Sequence, residues 1–289
     1  MSDEILRVEG LSMRFGGIRA LHAVDLAVRR GSITGLIGPN GAGKTTLFNC
    51  LTGFYRAGAG SIRLDAGGRL CDLRELLGGP LQGADLRSPR RLARRLWFKL
   101  FGGSHLVCRA GLARTFQNIR LFREMSVLEN LLVAQHLRLE RGLLAGLCNS
   151  AAFRRAEQRA LQRARYWLEE LELLDCANRL AGELAYGQQR RLEIARALCS
   201  GPQLLCLDEP AAGLNPAETA ALAATIRRLR DQHGLSVLLI EHDMGMVMGL
   251  CEHIVVLDRG EVIAAGPPAA IRRDPRVIAA YLGVDEEEA

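Results

Sequence analysis

The chain has no uninterrupted apolar run near the roughly 18 residues that cross a bilayer, which excludes a membrane-spanning helix. It has no C-x-x-C pair either. Its eight cysteines (Cys50, Cys71, Cys108, Cys148, Cys176, Cys199, Cys206 and Cys251) are scattered among mostly apolar neighbours. That pattern argues against a disulfide framework or a zinc site and for free, buried thiols in a reducing compartment. Aromatic residues make up only 5% of the chain. The Arg-rich stretch lacks interleaved aromatics, so the stacking platform of a single-strand nucleic-acid binder is missing. Internal repeats, heptads and low-complexity tracts are absent, and Met1-Ser2-Asp3-Glu4 lacks the basic-then-apolar layout of a signal peptide.

What is present is the composition of an ordinary globular protein, 289 residues with 48% apolar and 24% charged, long enough to bury a proper core. The net charge of +6 is an arginine excess, concentrated at Arg87, Arg90, Arg91, Arg94, Arg95 and Lys99, while Asp285-Glu286-Glu287-Glu288 is acidic. Such a charge suits nucleic acid or an anionic membrane surface and does not choose between them.

The most informative stretch is Gly38-Pro39-Asn40-Gly41-Ala42-Gly43-Lys44-Thr45-Thr46, which fits the phosphate-loop pattern G-x-x-x-x-G-K-[ST]. Ser32 to Ile37 reads as a buried strand before it, and Thr45 to Leu51 as the opening of a helix after it. The glycines let successive N–H groups point at phosphates, and the helix N-terminus adds partial positive charge. Lys44 supplies a point charge for the terminal phosphates, and the Thr45 hydroxyl a ligand for Mg²⁺. An ordinary glycine-rich turn before a helix requires neither the lysine–threonine pair nor the strand. A nucleoside triphosphate and Mg²⁺ are the expected ligands.

A second apolar strand, Leu204-Leu205-Cys206-Leu207, ends in Asp208-Glu209-Pro210. A carboxylate at the C-terminal end of a parallel strand faces the crevice where phosphates bind. Asp208 is thus expected to hold Mg²⁺ and Glu209 to polarise an attacking water. Further apolar runs, Val237 to Ile240 and Ile254 to Leu257, read as parallel strands buried on both faces. Between about Leu121 and Leu180 the spacing predicts helix, so a helical block interrupts an α/β core. Leu184-Ala185-Tyr186-Gly187-Gln188-Gln189 precedes a helical Arg190 to Leu198, which gives a second anion-binding helix end.

That last stretch resembles the signature loop of ATP-binding cassette (ABC) ATPases, and the other motifs follow in the family's order. Gln117, in Arg114-Thr115-Phe116-Gln117-Asn118, matches the glutamine-loop position; Ala212 to Asn215 match the loop after the catalytic glutamate. His242 matches the switch histidine, and Phe15 the aromatic that stacks on adenine. The resemblance implies a phosphate-loop NTPase cassette of the α/β class, a single domain over residues 1–289. A RecA-like core and an antiparallel β subdomain would occupy 1–116 and 186–289, and an inserted helical subdomain 117–185. It implies catalytic roles for Lys44, Gln117, Glu209 and His242, and Mg²⁺ ligation by Thr45, Gln117 and Asp208. Nucleotide would be held by Phe15, by Gly38 to Thr46, and by Ala185, Tyr186, Gly187 and Gln188 from a companion molecule.

Met13 to Gly17, Phe48 to Tyr55, Glu129 to Ala134, Ala211 to Pro216 and Ala280 to Gly283 are worded like one bacterial subgroup, the ATP-binding subunits of branched-chain amino-acid importers. Related importers of urea or short amides, and exporters, use similar cassettes. The resemblance implies a second, distinct cassette, two transmembrane permease subunits, a periplasmic or extracellular binding protein and no nucleic acid. The implied location is peripheral, on the cytoplasmic face of the inner membrane. Soluble ABC proteins of ribosomes or DNA usually carry two cassettes or a long coiled coil, and a phosphate-loop kinase would lack the signature loop and the histidine.

Two departures stand out. The signature loop carries Ala185 and Tyr186 where serine and glycine are usual, so a hydroxyl donor to the partner's γ-phosphate is missing. Gln117 also lies 73 positions beyond Lys44, more than the family usually allows, with the surplus at about 67–109. Within it, Ser88-Pro89 reads as a helix start and Gly102-Gly103 as a stop. Leu92, Leu96, Trp97, Leu100 and Phe101 fall on one side of that helix, and the basic residues on the other. Such a helix lies on an anionic membrane, docks on a partner, or packs its apolar side on its own domain.

Overall fold

A computed structural model describes residues 3–79, 89–136 and 151–282. Its centre is a six-stranded sheet in the order β10-β9-β3-β8-β7-β6. Those strands are β3 (Ile33–Ile37), β6 (Leu112–Arg114), β7 (Leu204–Asp208), β8 (Ser236–Ile240), β9 (His253–Asp258) and β10 (Glu261–Gly266). β3 runs parallel to both β8 and β9, whereas β10 pairs antiparallel to β9 at the edge. The apolar runs have the predicted two-faced burial, and alternate residues go to different cores. Ile33, Ile37, Leu205, Leu207, Val237 and Leu239 face a core shared with the helical block. Leu36, Leu204, Cys206, Leu238 and Ile240 face a second core, shared with Leu47, Phe48 and the other sheet.

That other sheet is antiparallel, ordered β2-β1-β4-β5: β1 (Glu4–Phe15), β2 (Ile18–Arg29), β4 (Ala59–Ala66) and β5 (Arg69–Asp72). β1 is longer than its apolar alternation predicts, because its register shifts between Val8 and Leu11. The Gly10 N–H leaves the ladder there to donate to Asp25 Oδ1 at 2.7 Å. The fold is therefore the α/β cassette expected, with its antiparallel sheet packed on the central one.

The helical pattern between Leu121 and Leu180 resolves into Val127–Ala134 and Ala151–Glu170, followed by single 3₁₀ turns at Leu174–Cys176 and Ala181–Glu183. Ser126 starts the first helix with a reciprocal capping box: its hydroxyl accepts from Glu129 N–H, and the Glu129 carboxylate accepts from Ser126 N–H at 2.7 Å. The second helix stops at Glu170, short of the apolar spacing that runs on to Leu174, and Glu172 takes a left-handed φ of 56°. In the 67–109 surplus, β5 leads to a turn of helix at Leu73–Leu76, then to helices at Pro89–Phe101 and Ser104–Arg109. The stop at Gly102 matches the expectation; the Ser88 cap, Arg87, Cys148 and the terminal acids lie outside the described residues.

Candidate functional site

β3, β6, β7 and β8 all run the same way, so their C-terminal ends open on one edge of the sheet. The loop after β3 is the phosphate loop. Gly38 has φ 151°, and a Cβ there would lie 2.0 Å from the Leu257 carbonyl oxygen. Gly43, with φ 99°, would place one 2.7 Å from the Ala20 carbonyl oxygen. Backbone packs on backbone at both points, so neither position has room for a side chain. Gly43 caps the helix Lys44–Leu51, which opens one residue before its expected start and leaves the Thr45 side chain exposed on its first turn.

Lys44 is buried, and its ammonium donates to the carbonyls of Gly38 at 2.7 Å and Pro39 at 2.8 Å. Burial lowers its pKa, while the nearby Glu209 and Asp208 carboxylates work in the opposite direction. The loop thus holds a compact cation over its own curl, close to both acids.

At the end of β7, Glu209 adopts φ 47° and donates its N–H to the Ile240 carbonyl on β8 at 2.9 Å. That left-handed turn re-aims the chain just where β7 ends. One Glu209 carboxylate oxygen accepts from Gln117 Nε2 at 2.7 Å. The other lies 3.0 Å from His242 Nε2. Three residues chosen from separate motifs therefore meet around one carboxylate.

Asp208 makes a contact that the sequence did not suggest. Its Oδ2 accepts from Arg114 Nη2 at 2.5 Å, and both side chains are buried. Arg114 also donates to Asn49 Oδ1 at 2.6 Å and Thr52 Oγ1 at 3.1 Å, with its guanidinium over the Phe116 ring at 5.1 Å. Glu241, after β8, is buried too: it accepts from Ala211 N–H at 2.7 Å and His242 N–H at 3.1 Å. Burial raises its pKa above the ordinary glutamate value. It holds the chain after Glu209 against the His242 segment.

The signature residues Ala185 to Gln188 open the helix Tyr186–Cys199 and, among the described residues, make no hydrogen bond to residues 38–46. The Gln188 side chain accepts from Ala185 N–H at 3.3 Å, a cap to which alanine adds no oxygen of its own. Tyr186 packs against Gly213, and its hydroxyl accepts from Arg190 Nη2 at 3.3 Å. Arg190 itself is fully buried. It donates to the backbone carbonyls of Phe116 at 2.8 Å and Gln117 at 2.9 Å, and to Glu193 at 3.0 Å. Glu193 returns the grip by accepting from Phe116 N–H at 3.2 Å. The signature helix is bolted to the glutamine loop.

Phe15 closes β1, half exposed, its ring edge-on to Tyr55 at 5.2 Å. Tyr281, in the helix Pro275–Leu282, lies near the Gly38 backbone N–H; burial raises its pKa and that N–H opposes the rise. Sequence reasoning missed Arg114, Glu241, the Arg190–Glu193 pair and Tyr281. Only Glu241 carried a usable signal, being an acid at a strand end like Asp208. Among the described residues no group of three or more His, Cys, Asp or Glu is arranged as a metal cluster. The donors that suit Mg²⁺ are instead single hard oxygens, the Thr45 hydroxyl and the Asp208 carboxylate.

A largely parallel sheet whose strand ends gather a phosphate loop, two adjacent acids and a histidine defines a nucleoside-triphosphate-binding protein. Family comparison narrows it: residues 21–212 match the ABC transporter family, and residues 261–287 match the branched-chain amino acid ATP-binding cassette transporter family. The chain belongs to the ABC transporter family and is an ATPase of that family. It is 51% identical to BraF of Pseudomonas aeruginosa, a high-affinity branched-chain amino acid transport ATP-binding protein, over 98% of this chain and 99% of that one. It is 50% identical to LivG of Escherichia coli K12, of the same description, with the same coverage. Its fold is similar to the crystal structure of the ADP conformation of MJ1267, an ATP-binding cassette of an ABC transporter. The TM-score is 0.74 at 31% identity, covering 98% of this chain and 100% of that one. No helix among the described residues is long and apolar enough to cross a membrane.

Proposed function

We propose that this chain is the ATP-hydrolysing motor subunit of an importer of branched-chain amino acids. It works on the cytoplasmic face of the inner membrane with two permease subunits, a second and distinct cassette, and a periplasmic or extracellular binding protein. Near-half identity to BraF and LivG along the whole length supports the substrate class. The match of residues 261–287 to the branched-chain family supports it independently.

The observation that carries the hydrolytic reading is Glu209 held between Gln117 and His242. A carboxylate fixed at both oxygens orients a water for in-line attack on the γ-phosphate, with His242 beside it to stabilise the departing charge. Lys44 and the N–H groups of Gly38 to Thr46 cradle the phosphates. Thr45 and Asp208 would hold Mg²⁺, with Gln117 at the edge of the site, and Arg114 fixes the Asp208 carboxylate in place. Mg²⁺, when bound, neutralises charge on the β- and γ-phosphates. Phe15 receives the base. Ala185, Tyr186, Gly187 and Gln188 offer a helix end to the nucleotide of the companion cassette, so ATP joins the pair and hydrolysis releases it.

The test uses the complex purified with its permease and cassette partners. Glu209→Gln should keep ATP binding and lose turnover by at least about 100-fold. Turnover near the wild-type rate would remove Glu209 from this role. ATPase stimulation by urea or short amides, with none by leucine, isoleucine or valine, would overturn the substrate class and leave the motor reading intact.

A further inference from the structure

The helix Pro89–Phe101 takes no part in the nucleotide chemistry, yet its outward surface is not that of an ordinary solvated helix. Leu96 is 43% exposed, Trp97 47%, Leu100 76% and Phe101 57%. At about 100° per residue these positions and Ala93 share an arc of roughly 140°. Trp97 lies between Phe98 and Phe101, with ring centroids at 5.4 and 5.6 Å, so the aromatics form one continuous patch.

The way the helix is mounted explains why that stripe faces outward. A Cβ on Gly78 would meet Lys99 Cα at 2.7 Å and Phe98 O at 2.8 Å. A Cβ on Gly102 would meet the Leu76 carbonyl oxygen at 2.6 Å. The helix therefore rests backbone on backbone against the Leu73–Leu76 turn, along its Phe98–Lys99 side. Among the described residues, the reading in which the apolar side packs on its own domain is not what the structure adopts.

The sequence of this helix carries five basic residues in thirteen (Arg90, Arg91, Arg94, Arg95 and Lys99) and no acid. An apolar arc containing tryptophan and phenylalanine, on a helix whose charged residues are all basic, matches the boundary between anionic headgroups and acyl chains. A protein groove would call for no such uniform charge. Thirteen residues are too few to span, since spanning takes about 20, so the helix would lie in the plane. We propose that Pro89–Phe101 is a membrane-surface helix that seats on anionic phospholipid, with Leu96, Trp97, Leu100 and Phe101 entering the acyl boundary. From its end the chain passes through Ser104–Arg109 into β6 and reaches Gln117 within 16 positions. The helix thus fixes the glutamine-loop side of the molecule toward the bilayer.

The full chain, without partners or nucleotide, tests this by co-sedimentation with vesicles of phosphatidylethanolamine and phosphatidylglycerol against vesicles of phosphatidylcholine alone. Binding to the anionic vesicles should be at least about tenfold the stronger and should reverse in about 0.5 M salt. In a Trp167→Phe background the remaining Trp97 emission should shift to the blue. Leu100→Glu should lower binding at least about tenfold with circular dichroism and ATP binding unchanged. No binding of the wild type to anionic vesicles would overturn the proposal, as would equal binding by Leu100→Glu. Loss of permease assembly in detergent by Leu100→Glu, with vesicle binding intact, would show a protein-docking surface instead. The assay requires neither transport nor hydrolysis, so its failure is separate from any failure of the motor reading.

Discussion

Replacing Arg190 by alanine is the sharpest test of how the signature helix and glutamine loop are joined. Arg190 is fully buried and donates to two backbone carbonyls, a carboxylate and a phenol. Its removal leaves Glu193 buried with only the weaker pull of Arg196 and strips the Phe116 and Gln117 carbonyls of their partner. Breaking such a buried pair from one side costs about 3–5 kcal/mol. With a denaturant slope near 3 kcal/mol/M, the urea midpoint should fall by roughly 1–1.7 M. The cost also depends on pH. Burial already holds the Glu193 pKa above the ordinary 4.5, and Arg190 pulls it down. Without Arg190 it rises further, so the neutral acid fits the site better than the carboxylate. A raised carboxyl contributes its stability in full below 4.5 and loses it as pH climbs through the folded value. The deficit of Arg190→Ala should therefore be larger at pH 8 than at pH 5. Pairing Arg190→Met with Glu193→Leu removes both charges and should cost less than Arg190→Ala alone, even though Phe116 N–H loses its acceptor. Urea unfolding at the two pH values measures all of this. A deficit below about 1 kcal/mol, or one that does not change with pH, would refute the reasoning.

Two other outcomes are expected. Gly38→Ala should abolish ATP binding in a fluorescent-nucleotide titration, because its Cβ would lie 2.0 Å from the Leu257 carbonyl oxygen, whereas Gly41→Ala, with nothing within 4 Å, should be milder. Burial pushes the Cys50, Cys206 and Cys251 thiols up to about 12. At pH 8 roughly one in ten thousand of each is thiolate, so a colorimetric thiol reagent should reach them only after denaturation.

The fold was legible because buried parallel strands announce themselves as short apolar runs, as Leu204 to Leu207 and Val237 to Ile240 do. Edge strands carry weaker patterns. The edge strands β5, β6 and β10 were missed, and in β1 the apolar alternation fades at Val8, where Gly10 steps out of register to reach Asp25. At the site, side chains whose chemistry is local, such as Lys44 and Asp208, could be picked out from their spacing. Arg114 could not, because its partner stands 94 positions away and an arginine at a strand end signals nothing by itself. The Arg190 grip on residues 116 and 117 is likewise a product of folding, across 74 and 73 positions. Periodicity puts Leu96, Trp97, Leu100 and Phe101 on one side of the Pro89–Phe101 helix, but which way that side faces depends on Gly78 and Gly102.

The approach of Tyr281 to the Gly38 backbone gives the last described helix a stake in the first residue of the phosphate loop. A chain cut short before Pro275, or one whose purification handle crowds Tyr281, would report nucleotide affinities belonging to the damage rather than to the protein. Handles are better placed at the amino terminus.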